Sequence, residues 1–186
     1  MSSENARKAQ LTKNILQKKY PHVCYCVPRL NDEPELAISA ISQLIQTKQN
    51  NGNSVALIGS SLGGFYAHYF AEVFNIPAVL INPAVEPYCL LINYLGEQVN
   101  PHTGNKITLT KRHISELKKL EKPVKNSNLI QVWLEEADEV LDYQKALKYF
   151  AKCNCNVRSG GDHSYQNFVS DCPAMLEFLL AKPQNQ

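Results

Sequence analysis

Val55-Ala56-Leu57-Ile58 is an uninterrupted apolar run. A strand that is covered on both faces needs such a run, and parallel sheets are built of strands of this kind. The run breaks into Gly59-Ser60-Ser61-Leu62-Gly63-Gly64 and resumes as a segment, Leu62 to Phe74, that is apolar nearly all round. A helix with that pattern has to be buried. A buried strand joined by a very short turn to a buried helix leaves little choice of architecture. The chain must lay helices against a mostly parallel sheet.

The remaining segments repeat the alternation. Residues 4 to 19 read as a helix with Ser3 as N-cap. His22 to Val27 reads as a short strand closed by Pro28. A helix follows from Pro34 to Lys48, capped by Asp32, with Leu36, Ala40, Ile41, Leu44 and Ile45 as its apolar stripe, and Asn50-Asn51-Gly52-Asn53 stops it. Pro77 to Ile81 and Leu129 to Leu134 read as further buried strands, and Cys153 to Val157 as a late edge strand. Tyr143, Ala146, Leu147 and Phe150 keep helical spacing, and Ala174 to Leu180 closes the chain with a helix. This alternation predicts an α/β fold with helices on both faces of the sheet. Residues 85–127 interrupt it. They read as an insertion, a lid or substrate wall, with helices at Tyr88 to Leu95 and Ser115 to Leu120 and a turn at Asn100 to Gly104.

Length and composition agree with one domain. The chain has 186 residues, 44% of them hydrophobic, and a net charge of +2. That charge gives no footing for nucleic acid, and Arg7, Lys8, Lys13, Lys18 and Lys19 read as the solvated face of the first helix. No apolar run is long enough for a membrane span, and MSSENARKAQL lacks the apolar core of a signal peptide, so a cytoplasmic protein is expected. The six cysteines then read as free thiols. Cys24/Cys26 and Cys153/Cys155 are each spaced to share one face of a strand. They read as small apolar side chains on a sheet, and no metal is expected.

Gly59-Ser60-Ser61-Leu62-Gly63 fits G-x-S-x-G. Alone, such a pattern arises by chance in roughly several per cent of chains of this length. Its place between a buried strand and a buried helix is the more telling fact, because a nucleophilic serine held on a strained turn needs that context. The flanking glycines are expected to let strand and helix pass closely. The Leu62 N–H, at the start of the helix, is expected to favour a developing oxyanion. The serine needs a base, and the base an orienting acid, in the chain order Ser, acid, His. Glu135-Glu136-Ala137-Asp138-Glu139 ends one strand, and Gly160-Gly161-Asp162-His163 follows the last. Asp138 is taken as the acid, with Glu135, Glu136 and Glu139 as rivals. His163 is taken as the base, lifted towards Ser61 by the Gly-Gly pair. Asp162 is too close in sequence to serve His163, and His22, His68, His102 and His113 are given no catalytic part.

IGSSLGGFYA (58–67), LINPAVEPY (80–88), NYLGEQVNPHTG (93–104), ADEVLDY (137–143) and GGDHSYQNF (160–168) resemble the small bacterial α/β-hydrolase-fold esterases of the YqiA type over nearly the whole chain. The resemblance implies a three-layer α/β-hydrolase domain over 1–186. It implies a serine esterase acting on short acyl esters and acyl-CoA thioesters, with no cofactor and no nucleic-acid or membrane partner. The family's Ser, Asp and His fall on Ser61, Asp138 and His163. Its strand order, 2-1-3-4-5-6, begins with a hydrophobic strand ending in His-Gly-Phe, just before a stretch like Ser2 to Ala6. That strand, central in the sheet, is lacking here, and with it the loop that carries a second oxyanion N–H.

Two other classes compete. GSSLGG could cradle a phosphate, but neither G-x-x-x-x-G-K-[ST] nor G-x-G-x-x-G is present at the turn. A hydrolase fold lacking a strand could also serve as a non-catalytic binding module, or as a shortened chain with impaired activity.

Overall fold

A computed structural model describes residues 7–99 and 106–181. The chain divides into two compact units, Met1–Ser54 with Glu86–Lys122, and Val55–Val85 with Pro123–Gln186.

The second unit holds the sheet. Its strands are β1 (Leu57–Ser60), β2 (Ala78–Ile81), β5 (Ile130–Glu135) and β6 (Asn154–Arg158), in the order β1-β2-β5-β6, all parallel. This is the 3-4-5-6 portion of the order implied by the resemblance, with β6 at an edge as expected. Every residue of β2 and β5 is buried, as their apolar runs foretold, whereas β1, expected to be covered on both faces, is only half-buried except at Gly59, and Ala56 before it is exposed. Between the strands run α3 (Leu62–Phe74) and α6 (Tyr143–Tyr149), and α7 (Phe168–Leu180) follows β6. Ala67 and Ala71 of α3, Leu80 of β2, Val132 and Leu134 of β5, and Ala146 with Phe150 form one buried cluster. Leu147 is 37% exposed, so the stripe of α6 is narrower than its sequence suggests.

The helix α7 begins six residues before the predicted Ala174 and carries Pro173 inside it. Proline removes one i→i−4 bond. The burial of Phe168, Cys172, Met175, Leu176 and Leu179 along one face outweighs that loss.

In the first unit, α1 (Arg7–Lys19) buries Thr12 and Leu16, while Arg7, Lys13, Lys18 and Lys19 are exposed as expected. The predicted N-cap Ser3 lies outside the described residues, as does the turn at 100–104 with His102. Residues 22–27 form no strand. An extended segment becomes a strand only when a neighbour completes its ladder, and no described residue pairs with this one in a sheet. In α2 (Pro34–Asn50) the buried stripe is Pro34, Ala37, Ile41 and Ile45, and Leu36 is 50% exposed, so the helix is rotated from the expected stripe. Glu33 stands at its N-cap instead of Asp32, and Asn31 Oδ1 accepts the Glu33 N–H at 2.9 Å.

Residues 85–127 differ most from expectation. The first helix there shortens to α4 (Pro87–Leu91) and a 3₁₀ turn, Ile92–Tyr94. An unforeseen antiparallel hairpin follows, β3 (Gly96–Val99) with β4 (Lys106–Leu109). The helix α5 (Lys111–Lys119) starts four residues early because Thr110 and His113 form a capping box, with histidine where glutamate or glutamine is usual. Among the described residues no helix is long and apolar enough to cross a membrane.

Candidate active site

The strands β1, β2, β5 and β6 are in register, Ser60 beside Ile81, Ile81 beside Trp133, and Glu135 beside Arg158. Their carboxyl ends therefore share one edge of the sheet, where ligand sites of open α/β folds lie. Ser61, Asn82, Glu135, Asp138 and His163 all belong to this unit.

Ser61 is the residue between β1 and α3. Its φ of 56° and ψ of −125° are disfavoured for any side chain, at a cost on the order of 1–3 kcal/mol. Backbone bonds hold it there. Its N–H donates to the Ile81 carbonyl at 3.0 Å, and its carbonyl accepts from Gly64 at 2.9 Å and Ala84 at 3.1 Å. The turn also needs missing side chains, though not the pair first expected. A Cβ on Gly59 would lie 2.1 Å from the Gly63 carbonyl oxygen, and one on Gly64 would lie 2.8 Å from Pro83 Cβ. A Cβ on Gly63 would meet nothing within 4 Å. The close approach is made by Gly59 and Gly64.

His163 lies beyond the end of β6. Its Nε2 is 3.0 Å from Ser61 Oγ, and its Nδ1 is 3.0 and 2.9 Å from the two carboxylate oxygens of Asp138. A carboxylate only accepts, so Nδ1 carries the proton and Nε2 is left to accept from the serine hydroxyl. The Asp138 side chain is 2% exposed and that of His163 24%. Asp138 Oδ1 also accepts the N–H groups of Val140 and Leu141, both at 2.9 Å, which fixes the carboxylate. In such a chain an imidazole can take up the hydroxyl proton while the aspartate steadies the charge that results.

The rival carboxylates have other partners. Glu139 Oε2 accepts the His163 backbone N–H at 2.9 Å. Glu136 is exposed, and its N–H extends the ladder to the Arg158 carbonyl. Glu135 is fully buried, and its carboxylate accepts from Asp162 N–H (2.7 Å), Gln166 N–H (3.0 Å), and the backbone and side-chain N–H groups of Asn167 (2.9 and 2.8 Å). Asp162 turns back on Ser164 and Gln166. Gly160 and Gly161 have φ of +73° and +79°, as a sharp lift of the chain requires. A Cβ on Gly161 would fall 1.9 Å from Glu135 Oε2, so this glycine also makes room for the buried carboxylate.

Sequence reasoning passed over Asn82. It follows β2 with φ of 39° and is 2% exposed. Its side-chain amide donates to the carbonyls of Asp162 at 3.1 Å and His163 at 3.4 Å, and its Oδ1 accepts the Glu135 N–H at 3.0 Å. The signal was present in Ile81-Asn82-Pro83, an amide side chain directly after a buried strand.

The other histidines stand apart. His68, on α3, is buried edge-on against Phe150 and Tyr149, with ring centroids at 5.1 and 5.9 Å. Burial lowers its pKa to about 4, against a smaller opposing pull from Glu72. His22 is exposed, and His113 serves the cap of α5. Cys153 and Cys155 sit half-buried, and burial pushes the Cys153 thiol up to about 12. Cys24 and Cys26 are exposed. Among the described residues no three histidine, cysteine or carboxylate side chains are placed to hold a metal ion.

Residues 1–180 match the model of a family described as Uncharacterised protein family (UPF0227). Solved structures with this fold include Est1E from Butyrivibrio proteoclasticus. It is 13% identical, with 97% of this chain and 83% of that chain covered, at a TM-score of 0.68. Alpha/beta hydrolase domain-containing protein 10 from mouse is 17% identical over 96% of this chain and 85% of its own, also at 0.68. A monoacylglycerol lipase from Paleococcus ferrophilus is 16% identical over 82% and 78%, at 0.56. At these identities the likeness establishes the α/β-hydrolase fold.

Proposed function

The chain belongs to the uncharacterised protein family UPF0227, that of the YqiA-type proteins, and from this premise we propose that it is a serine hydrolase cleaving short acyl esters and acyl-CoA thioesters. The observation that carries the reading is the hydrogen-bonded chain Ser61–His163–Asp138, with Ser61 on a strained turn at the sheet's carboxyl edge. The names of structural neighbours, an esterase domain from Rhodothermus marinus and a monoacylglycerol lipase, point the same way.

In this mechanism Ser61 Oγ attacks the acyl carbonyl carbon as His163 Nε2 takes its proton. The carbonyl oxygen becomes an oxyanion. Leu62 is the first residue of α3, so its N–H has no acceptor within the helix and is available to that oxyanion. The carbon–oxygen or carbon–sulfur bond to the leaving group then breaks, and His163 gives the proton to the departing alkoxide or thiolate. Water repeats the sequence on the acyl-serine. His163 takes a proton from water, the hydroxide oxygen bonds to the carbonyl carbon, and Ser61 Oγ leaves with that proton as the acid is released. Asp138 holds the Nδ1–H throughout and steadies the imidazolium. No cofactor enters any step.

Hydrolysis of a series of short p-nitrophenyl and coenzyme A esters by the wild type and Ser61→Ala tests the proposal. The wild type should turn over, and a folded Ser61→Ala should fall to background. Hydrolysis retained by that variant would place the reaction elsewhere.

A further inference from the structure

The backbone that carries His163 is held at every polar group. The Asp162 N–H donates to Glu135 and the His163 N–H to Glu139, while the carbonyls of Asp162 and His163 both accept from the Asn82 amide. Three of these four contacts come from two buried side chains that stand at the ends of β2 and β5 and are joined to each other by the Glu135 N–H to Asn82 Oδ1 bond.

Glu135 is an unusual residue to bury. No cation lies within ion-pair distance of it among the described residues. Four N–H donors fill its two oxygens, which leaves no acceptor for a carboxyl proton. Such a carboxylate is expensive unless its partners are in place. The observed arrangement of residues 162–167 satisfies the carboxylate, and in it His163 Nε2 faces Ser61.

We propose that Glu135 and Asn82 form a clamp of positioning residues that presets the main chain of His163. Glu135 grips the loop by its amides and Asn82 by its carbonyls. Their catalytic consequence rests on the Ser61–His163–Asp138 reading above; the placement of the imidazole does not.

The test uses Glu135→Gln and Asn82→Gly. Glutamine keeps the shape but turns an NH₂ towards N–H donors. Glycine tolerates φ of 39° and removes both grips on the carbonyls. The readouts are the downfield proton resonance of His163 Nδ1–H, together with kcat and KM. The clamp predicts that a folded Glu135→Gln loses or broadens that resonance at temperatures well below its Tm. It also predicts that kcat falls about 100-fold, as a misplacement near 1 Å does, with KM unchanged. Asn82→Gly should do the same to the resonance, and it carries the test if Glu135→Gln fails to fold. Folded variants with a wild-type resonance and kcat would overturn the clamp and leave Glu135 a fold-stabilising residue only. A wild type that shows the resonance and hydrolyses nothing would remove the esterase reading, and the variants' resonance would still decide the clamp.

Discussion

Ser61 and His163 meet at 3.0 Å, yet their main chains are held by opposite means. The turn at Ser61 is a backbone construction. Carbonyl and amide groups of Ile81, Gly64 and Ala84 fix it, and its side chains contribute chiefly by being absent at 59 and 64. The loop at His163 is a side-chain construction, fixed by Glu135, Glu139 and Asn82 reaching from other strand ends. A backbone turn resists most substitutions and fails sterically when a Cβ intrudes. A side-chain clamp fails electrostatically, when one polar partner changes character.

The largest expected effect comes from breaking the shared meeting point. Asp138→Asn keeps the shape but offers an amide to Nδ1 and favours the wrong tautomer of His163. Its kcat should drop on the order of 10⁴-fold, with thermal unfolding close to wild type. Next is the steric half of the contrast. Gly59→Ala places a methyl 2.1 Å from a backbone oxygen that has no room to retreat, and should cost about 3 kcal/mol in urea unfolding. A change of similar size should appear with pH, centred on the helix behind the turn. Buried His68 binds a proton only near pH 4, while in the unfolded chain it binds near 6.5. Acid therefore favours the unfolded chain across that window. Stability should fall by about 3 kcal/mol from pH 6.5 to pH 4 and lose nothing more from this group below it. His68→Phe should flatten that step. The smallest effect has the opposite sign. Gly63→Ala has open space for its methyl, and should stabilise by roughly 0.5–1 kcal/mol because glycine is costly inside a helix. Should Gly63→Ala destabilise as Gly59→Ala does, the assignment of the close approach to Gly59 and Gly64 would be wrong.

The same contrast explains what could be read from the sequence. The strands β1, β2, β5 and β6 and the helix α3 carry their signals within a few residues, as apolar runs and turn chemistry. Ser61 is legible for that reason, and chain order then pointed to Asp138 and His163. The hairpin β3–β4 alternates weakly, exposed and half-buried, so its period was lost beside a stronger helical one. The start of α7 was hidden by Pro173, whose local cost is outweighed by burial that only the folded chain supplies. Residues 22–27 have strand composition, yet among the described residues nothing pairs with them in a sheet, and composition alone does not report which neighbour a strand will have. The clamp was the least legible part. Positions 82, 135 and 161 are related only once β2, β5 and β6 lie side by side. In the sequence, Glu135 was one acidic residue among several.

Intact-mass analysis and peptide mapping after treatment with a fluorophosphonate probe test the central claim most directly. The probe's phosphorus bonds only to an activated serine oxygen and loses fluoride. The account predicts one adduct, on Ser61, abolished by Asp138→Asn and His163→Ala as well as by Ser61→Ala. A folded protein that takes up no probe at Ser61, or takes it up equally in the Asp138 and His163 variants, would contradict it.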